Sequence, residues 1–290
     1  MKAIRLHSYG QRPQLDDVPE PSATGPDDVV VRIGGAGLCR TDLHIIDGWF
    51  ADAMRCERGP RLPGVTCAGG MAELFKTSAR TVVKLAAGAE PAALAALADA
   101  GLTAYHAVSK AVPALGAGSS AVAVGVGGLG HIGIQCLKAM TPAQVIAVDT
   151  SEDALKLALD CGADHVVTAG REQTQQVRDL TGSGADAVFD FVGEDATIGD
   201  GVAMLRPGGT YYLVGYGGTV TLPTIPLVLG EISIVANLIG THADLAGLVA
   251  LAGQGQVKLR SSSYPLAAAG DAVEDLRQGR IHGRAILTPG

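Results

Sequence analysis

The chain has 290 residues, 47% apolar and 18% charged, with a formal net charge of −7. That is enough apolar residue for one large domain or two, each with its own core. The acidic balance argues against a nucleic-acid partner, no apolar run reaches membrane-spanning length, and five cysteines in so long a chain do not read as a disulfide framework, which points to a reducing cytoplasm.

The first elements in chain order are small β pieces. Residues 3–7 alternate as a strand and lack the apolar core of a secretory signal. Residues 19–26 form a turn-rich connection, and residues 29–33 read as a strand. Gly34, Gly35 and Gly37 then open a tight turn into Leu38-Cys39-Arg40-Thr41-Asp42-Leu43-His44. A thiol, a guanidinium, a hydroxyl, a carboxylate and an imidazole fall within six residues there. By itself the stretch reads equally well as a polar loop in which Thr41 or Asp42 opens a helix. Residues 48–70 show no period and are broken by Pro60, Pro63 and several glycines. Residues 81–85 read as a strand, and residues 91–100 as an alanine-rich helix that runs into Asp99-Ala-Gly-Leu-Thr-Ala-Tyr-His106.

The chain is organised around residues 119–150. Residues 121–124 make a short apolar run of the kind found in buried parallel strands. Gly125, Gly127 and Gly130 follow as G-x-G-x-x-G, and the apolar spacing from Leu129 onward becomes helical. The first glycine suits a tight turn, the second lets backbone approach a pyrophosphate, and the third lets helix and strand pack closely. The free amides and positive dipole end of the helix would face phosphate. Residues 145–148 form the next strand, and Asp149 ends it 19 residues after Gly130. A carboxylate there accepts hydrogen bonds from a ribose diol and repels a 2′-phosphate, which predicts NAD.

Beyond the loop, strand and helix alternate. Helices are expected over residues 151–161 and 174–180, and strands at 165–167, 187–192, 211–215 and 232–236, with the turn Pro207-Gly-Gly before the fifth strand. From Asp244 the chain returns to helix, strand, helix, strand. The alternation predicts an α/β fold with a doubly wound parallel sheet.

The pieces Gly34-Gly-Ala-Gly-Leu-Cys-Arg-Thr-Asp-Leu-His44, Gly69-Gly-Met-Ala-Glu73, Asp99-Ala-Gly-Leu-Thr103, Gly125-Val-Gly-Gly-Leu-Gly130 and Gly283-Arg-Ala-Ile-Leu287 together resemble the zinc-dependent alcohol dehydrogenases of the medium-chain dehydrogenase/reductase superfamily, over almost the whole chain. The resemblance implies a Rossmann NAD-binding domain over 91–244 and a smaller, truncated GroES-like β domain over 1–90 plus 245–290. It implies NAD held by Gly125, Gly127, Gly128, Leu129, Gly130 and Asp149, with Arg40 and Arg284 on the pyrophosphate. It assigns Cys39 and Asp99 as ligands of a catalytic zinc. Thr41 and His44 then relay the alcohol proton through the nicotinamide ribose. It also implies pairing of the sixth strand across a two-fold axis, hence a homodimer or homotetramer, and a small-molecule alcohol or carbonyl substrate.

One departure is large. Only 24 residues separate His44 from Gly69, and no histidine lies between His44 and His106. The family's Gly-His-Glu motif, with its histidine ligand, and its four-cysteine lobe are missing, so no structural zinc is expected. The catalytic zinc lacks its third ligand, for which Cys56, Cys67 and His44 are candidates. Alternative readings are a zinc-free NADH-dependent reductase of the same superfamily, with Thr41, His44 or Tyr105 as acid, a non-catalytic NAD-binding remnant, and a nucleotide- or methyl-donor-binding Rossmann protein. A short-chain dehydrogenase is disfavoured because no Tyr-x-x-x-Lys occurs.

Overall fold

The structure, a computed structural model, describes residues 1–49 and 62–290. Cys56, one candidate third ligand, lies outside the described residues. The chain divides into two compact units, residues 1–98 plus 259–290 and residues 99–258.

The first unit begins with β1 (Lys2–Arg5), β2 (Gln14–Asp17), β3 (Asp28–Arg32), β4 (Ala36–Leu38), α1 (Arg40–Ile46), β5 (Leu74–Ser78) and the short α2 (Pro91–Leu94). β1 pairs antiparallel with β2, and β3 with β5. β2 is too polar to be read from periodicity. Its pairing places Asp17 opposite Lys2, and the two side chains meet at 2.7 Å. The strand expected at 81–85 is absent. β5 is the segment that β3 pairs with, and the chain then turns through a 3₁₀ segment at Ala79–Thr81, closed by the Thr81 hydroxyl donating to the Ser78 carbonyl at 2.8 Å. The β-branched residues at 81–83 suggested a strand, but pairing, not composition, decides. The glycine stretch before Leu38, expected as a turn, contains β4.

The second unit contains α3 (Ala100–Ala111), β6 (Ser120–Val124), α4 (Gly130–Met140), β7 (Gln144–Asp149), α5 (Glu152–Asp160), β8 (His165–Thr168), α6 (Gln173–Thr181), β9 (Ala185–Asp190), α7 (Asp195–Ala203), β10 (Leu205–Leu213), α8 (Thr224–Leu229), β11 (Ser233–Ala236) and α9 (His242–Gly253). Its six strands are all parallel, in the order β11-β10-β9-β6-β7-β8. Numbered within the sheet, that is 6-5-4-1-2-3, the doubly wound dinucleotide-binding order, whose crossover lies beside β6. Every residue of β6 is buried, as a strand covered by helices on both faces must be. The core joins Val122, Val124, Ile146, Val148, Val188 and Tyr211. Ser151 caps α5 by accepting from the Ala154 amide. The turn expected at Pro207-Gly-Gly lies inside β10, where the pairing with β9 shifts register between Leu205 and Thr210. β9 stops at Asp190, two residues earlier than expected, because the Asp190 side chain takes the amides of Val192 and Gly193 at 2.8 and 2.9 Å and bends the chain out of the ladder.

The chain then re-enters the first unit as β12 (Ser261–Pro265), α10 (Ala269–Arg277) and β13 (Arg284–Thr288). β13 pairs parallel with β12 and antiparallel with β4. A second core gathers Leu38, Leu43, Ile46, Leu266, Val273 and Leu287. The unit boundaries fall at 98/99 and 258/259, where the sequence reading has 90/91 and 244/245. α9 packs on α3 and stays with the second unit. Among the described residues no helix is long and apolar enough to cross a membrane.

Candidate functional site: a glycine loop and a polar helix start

Three glycines shape the loop between β6 and α4, each for a different reason. Gly125 has φ +85°, and a Cβ there would come within 2.5 Å of Val192 Cγ2. At Gly130 a Cβ would lie 1.8 Å from the Gly125 carbonyl oxygen. A Cβ at Gly127 meets nothing within 4 Å. Gly125 and Gly130 are therefore fixed by the fold, and Gly127 leaves open space on the loop. Asp149, at the end of β7, accepts from the Val126 amide at 2.7 Å and from the Ser151 amide at 2.9 Å. It ties the loop to the neighbouring strand and keeps a carboxylate beside it. An open glycine, a helix N-terminus and an adjacent carboxylate fit a dinucleotide with a free ribose diol.

The second polar group sits in the first unit. Cys39 is the N-cap of α1, and its amide donates to Asp42 Oδ2 at 2.7 Å. The helix thus starts before the expected cap at Thr41 or Asp42. Asp42 serves as the acid at the third position of the helix, reaching back to the cap. Arg40, Thr41 and His44 follow on α1. Thr41 and His44 are three apart and share a face. Trp49 stacks on His44, with ring centroids 4.1 Å apart and planes inclined by 5°. Burial, aided by the Arg40 charge and opposed by Asp47, pulls the His44 pKa below the ordinary histidine value. Arg284 opens β13 and is buried.

Asp99 is the N-cap of α3 and is exposed; its carbonyl accepts from the amide and hydroxyl of Thr103 at 2.9 and 2.8 Å. A catalytic zinc takes three protein ligands and an open position. Among the described residues no three of His, Cys, Asp and Glu come together as a metal group. A thiol and one carboxylate are an incomplete donor set, and the described residues do not fit that metal.

Three features had little or no signal in the sequence. Asp190, fully buried, accepts from the hydroxyls of Tyr211 and Thr197 and from two amides. His131, also fully buried, bonds back to the Gly127 carbonyl through Nδ1 at 2.8 Å. Trp49 had no assigned role although it is the only tryptophan in the chain. An acid inside an apolar run, and a histidine next to the third glycine, were the available cues.

The sheet order and loop define an α/β dinucleotide-binding unit joined to a small β-rich unit. Residues 128–254 match the zinc-binding dehydrogenase family. An NAD-dependent alcohol dehydrogenase of Sulfolobus acidocaldarius is 30% identical, with 99% of each chain covered, and one of Sulfurisphaera tokodaii is 28% identical over the whole of both. The crystal structure of the alcohol dehydrogenase of Aeropyrum pernix superposes with a TM-score of 0.93 at 38% identity, covering both chains completely. The chain belongs to the zinc-binding dehydrogenase family of medium-chain dehydrogenases/reductases. The first of these alignments runs over 353 positions, more than the 290 residues present here, so the relative carries segments that this chain lacks.

Proposed function

We propose that this protein is an NAD-dependent oxidoreductase that interconverts a small alcohol and its aldehyde or ketone. The observation that carries the reading is the open Gly127 loop fastened to the Asp149 carboxylate, in a chain whose relatives are NAD-dependent alcohol dehydrogenases. Gly125, Gly127, Gly128, Leu129 and Gly130 present backbone to the pyrophosphate, and Asp149 takes the adenine-ribose diol. Arg40 and Arg284 supply positive charge for the same phosphates. A nicotinamide cofactor held by that loop and Asp149 would supply the hydride acceptor for the alcohol carbon. The hydroxyl proton goes to Thr41 Oγ1, whose own proton passes toward the His44 imidazole. A lowered pKa leaves His44 unprotonated, and so able to take a proton, over a wider pH range.

The same reading includes self-association through β11. The strand ends the sheet, and apolar residues on it and beside it are exposed, with Leu229 at 80% and Leu238 at 81%. An uncovered apolar sheet edge favours a second copy, as a homodimer or a pair of dimers. Light scattering at micromolar concentration tests this, and a monodisperse monomer counts against it.

NADH binding by fluorescence titration, followed by NAD reduction against a panel of primary and secondary alcohols, tests the activity. A chain that binds no NADH removes the reading. NADH binding without turnover of any alcohol or carbonyl leaves only the cofactor half.

A further inference from the structure

We infer that His131 is a positioning residue for the cofactor: it holds the Gly127 carbonyl inward and so turns the Gly128 amide toward the phosphates. The inference rests on the glycine loop being the cofactor site. His131 lies one residue past the third glycine, in the first turn of α4, and is fully buried. Its Nδ1 stands 2.8 Å from the Gly127 carbonyl oxygen, and its backbone amide reaches the same oxygen at 3.3 Å. A carbonyl only accepts, so Nδ1 carries the proton in this bond.

The consequence follows from peptide geometry. The peptide between Gly127 and Gly128 is planar and trans, so its C=O and N–H point in opposite directions. Drawing the oxygen toward the His131 ring turns the Gly128 N–H away from it. The amides of Gly127 and Gly128 donate to no acceptor among the described residues, and Gly127 itself faces open space. A glycine pair has the widest backbone freedom of any dipeptide, and unrestrained it would sample many orientations of that amide. Burying an imidazole as completely as His131 is buried is unfavourable unless its polar atoms are bonded. Here the bond fixes the orientation of the peptide that carries the Gly128 amide.

The test compares His131→Leu, His131→Asn and His131→Gln in the full chain, with NADH, ADP-ribose and adenosine as probes. Asparagine places an amide N–H close to the position of Nδ1, and glutamine places it farther out. His131→Leu is expected to weaken NADH and ADP-ribose by about tenfold, to raise KM for NAD with kcat little changed, and to leave adenosine inhibition unaltered. His131→Asn should restore most of the loss and His131→Gln less. If His131→Leu does not fold, the asparagine–glutamine difference still decides. Equal weakening of adenosine and ADP-ribose, or no difference among the three variants, overturns the inference. Absence of NADH binding by the unaltered chain would instead remove the glycine-loop reading beneath it.

Discussion

The Val126 amide donates to the Asp149 carboxylate at 2.7 Å, so one side chain both braces the glycine loop and presents negative charge beside it. A 2′-phosphate placed at the ribose would meet that charge at short range, where Coulomb repulsion is least screened. The unaltered protein should therefore favour NAD(H) over NADP(H). Asp149→Ser should narrow the preference by tenfold or more, on the order of the loss of one close charge. It should also weaken NAD(H), because the loop loses its brace. The ratio of kcat/KM for the two cofactors reads the effect, and equal use of both by the unaltered chain contradicts it.

Gly127 and Gly130 should behave oppositely when replaced by alanine. A Cβ at Gly130 lands 1.8 Å from the Gly125 carbonyl oxygen, a backbone atom that cannot swing aside. Gly130→Ala should cost about 1–3 kcal/mol, as overpacking does, and lower the melting temperature by several degrees. A Cβ at Gly127 meets nothing, so Gly127→Ala should melt like the unaltered chain and still bind NADH more weakly. Thermal melts paired with NADH titration check both. Comparable destabilisation by the two would show that the space at Gly127 belongs to the fold and not to a ligand.

The run from β6 through the loop to Asp149 was legible because three local signals agree: an apolar strand, a change to helical period, and an acid at the next strand end. The parallel order followed from strand–helix alternation. The small unit was less legible. β2 is polar, β4 hides among glycines, and the strand expected at 81–85 gave way to β5, because only a partner strand distinguishes two β-prone segments. For the Asp190 hub the sequence offers only an acid inside an apolar run, with no sign of its partners. Its donors Thr197 and Tyr211 stand 7 and 21 residues away, and nothing local announces that they converge. The β11 edge was read from family likeness, and its exposed neighbours on α8 came only with the structure.

Trp49 offers an optical reading of His44. It is the chain's only tryptophan and lies face to face with the imidazole. Protonation of His44 places a cation on the indole and should change its emission. Burial and Arg40 lower the folded-state pKa, so the midpoint should fall below the ordinary histidine value of 6.5. The linked stability has a definite sign. Between the lowered folded value and 6.5 the unfolded chain binds the proton more readily, so stability rises with pH there. The contribution is complete above 6.5 and is lost as pH falls toward the folded-state value. A fluorescence titration with His44→Gln as the control checks the assignment. A midpoint above 6.5, or one that survives the substitution, defeats it.

The metal question turns on Cys39. It caps α1 just before Arg40, Thr41 and His44, and Asp99 stands where the family resemblance places another ligand. Two donors make an incomplete site, and among the described residues no third completes it. Each missing ligand removes a bond and the preorganisation that surrounds it. The purified chain should therefore hold at most about one zinc per subunit, against the three protein ligands that a catalytic site requires, and a chelator should remove it during dialysis. Cys39→Ser should abolish whatever binding remains, since a serine hydroxyl is a far poorer zinc ligand than a thiolate. NADH affinity should be largely unchanged, because the glycine loop and Asp149 belong to the other unit. Metal analysis of both proteins before and after dialysis, with NADH titration alongside, separates the outcomes. Two zinc ions per chain that survive the chelator would show that the 45–68 segment supplies ligands beyond Cys39 and Asp99. Unchanged zinc in Cys39→Ser would show that the surviving family-like residues are not the site.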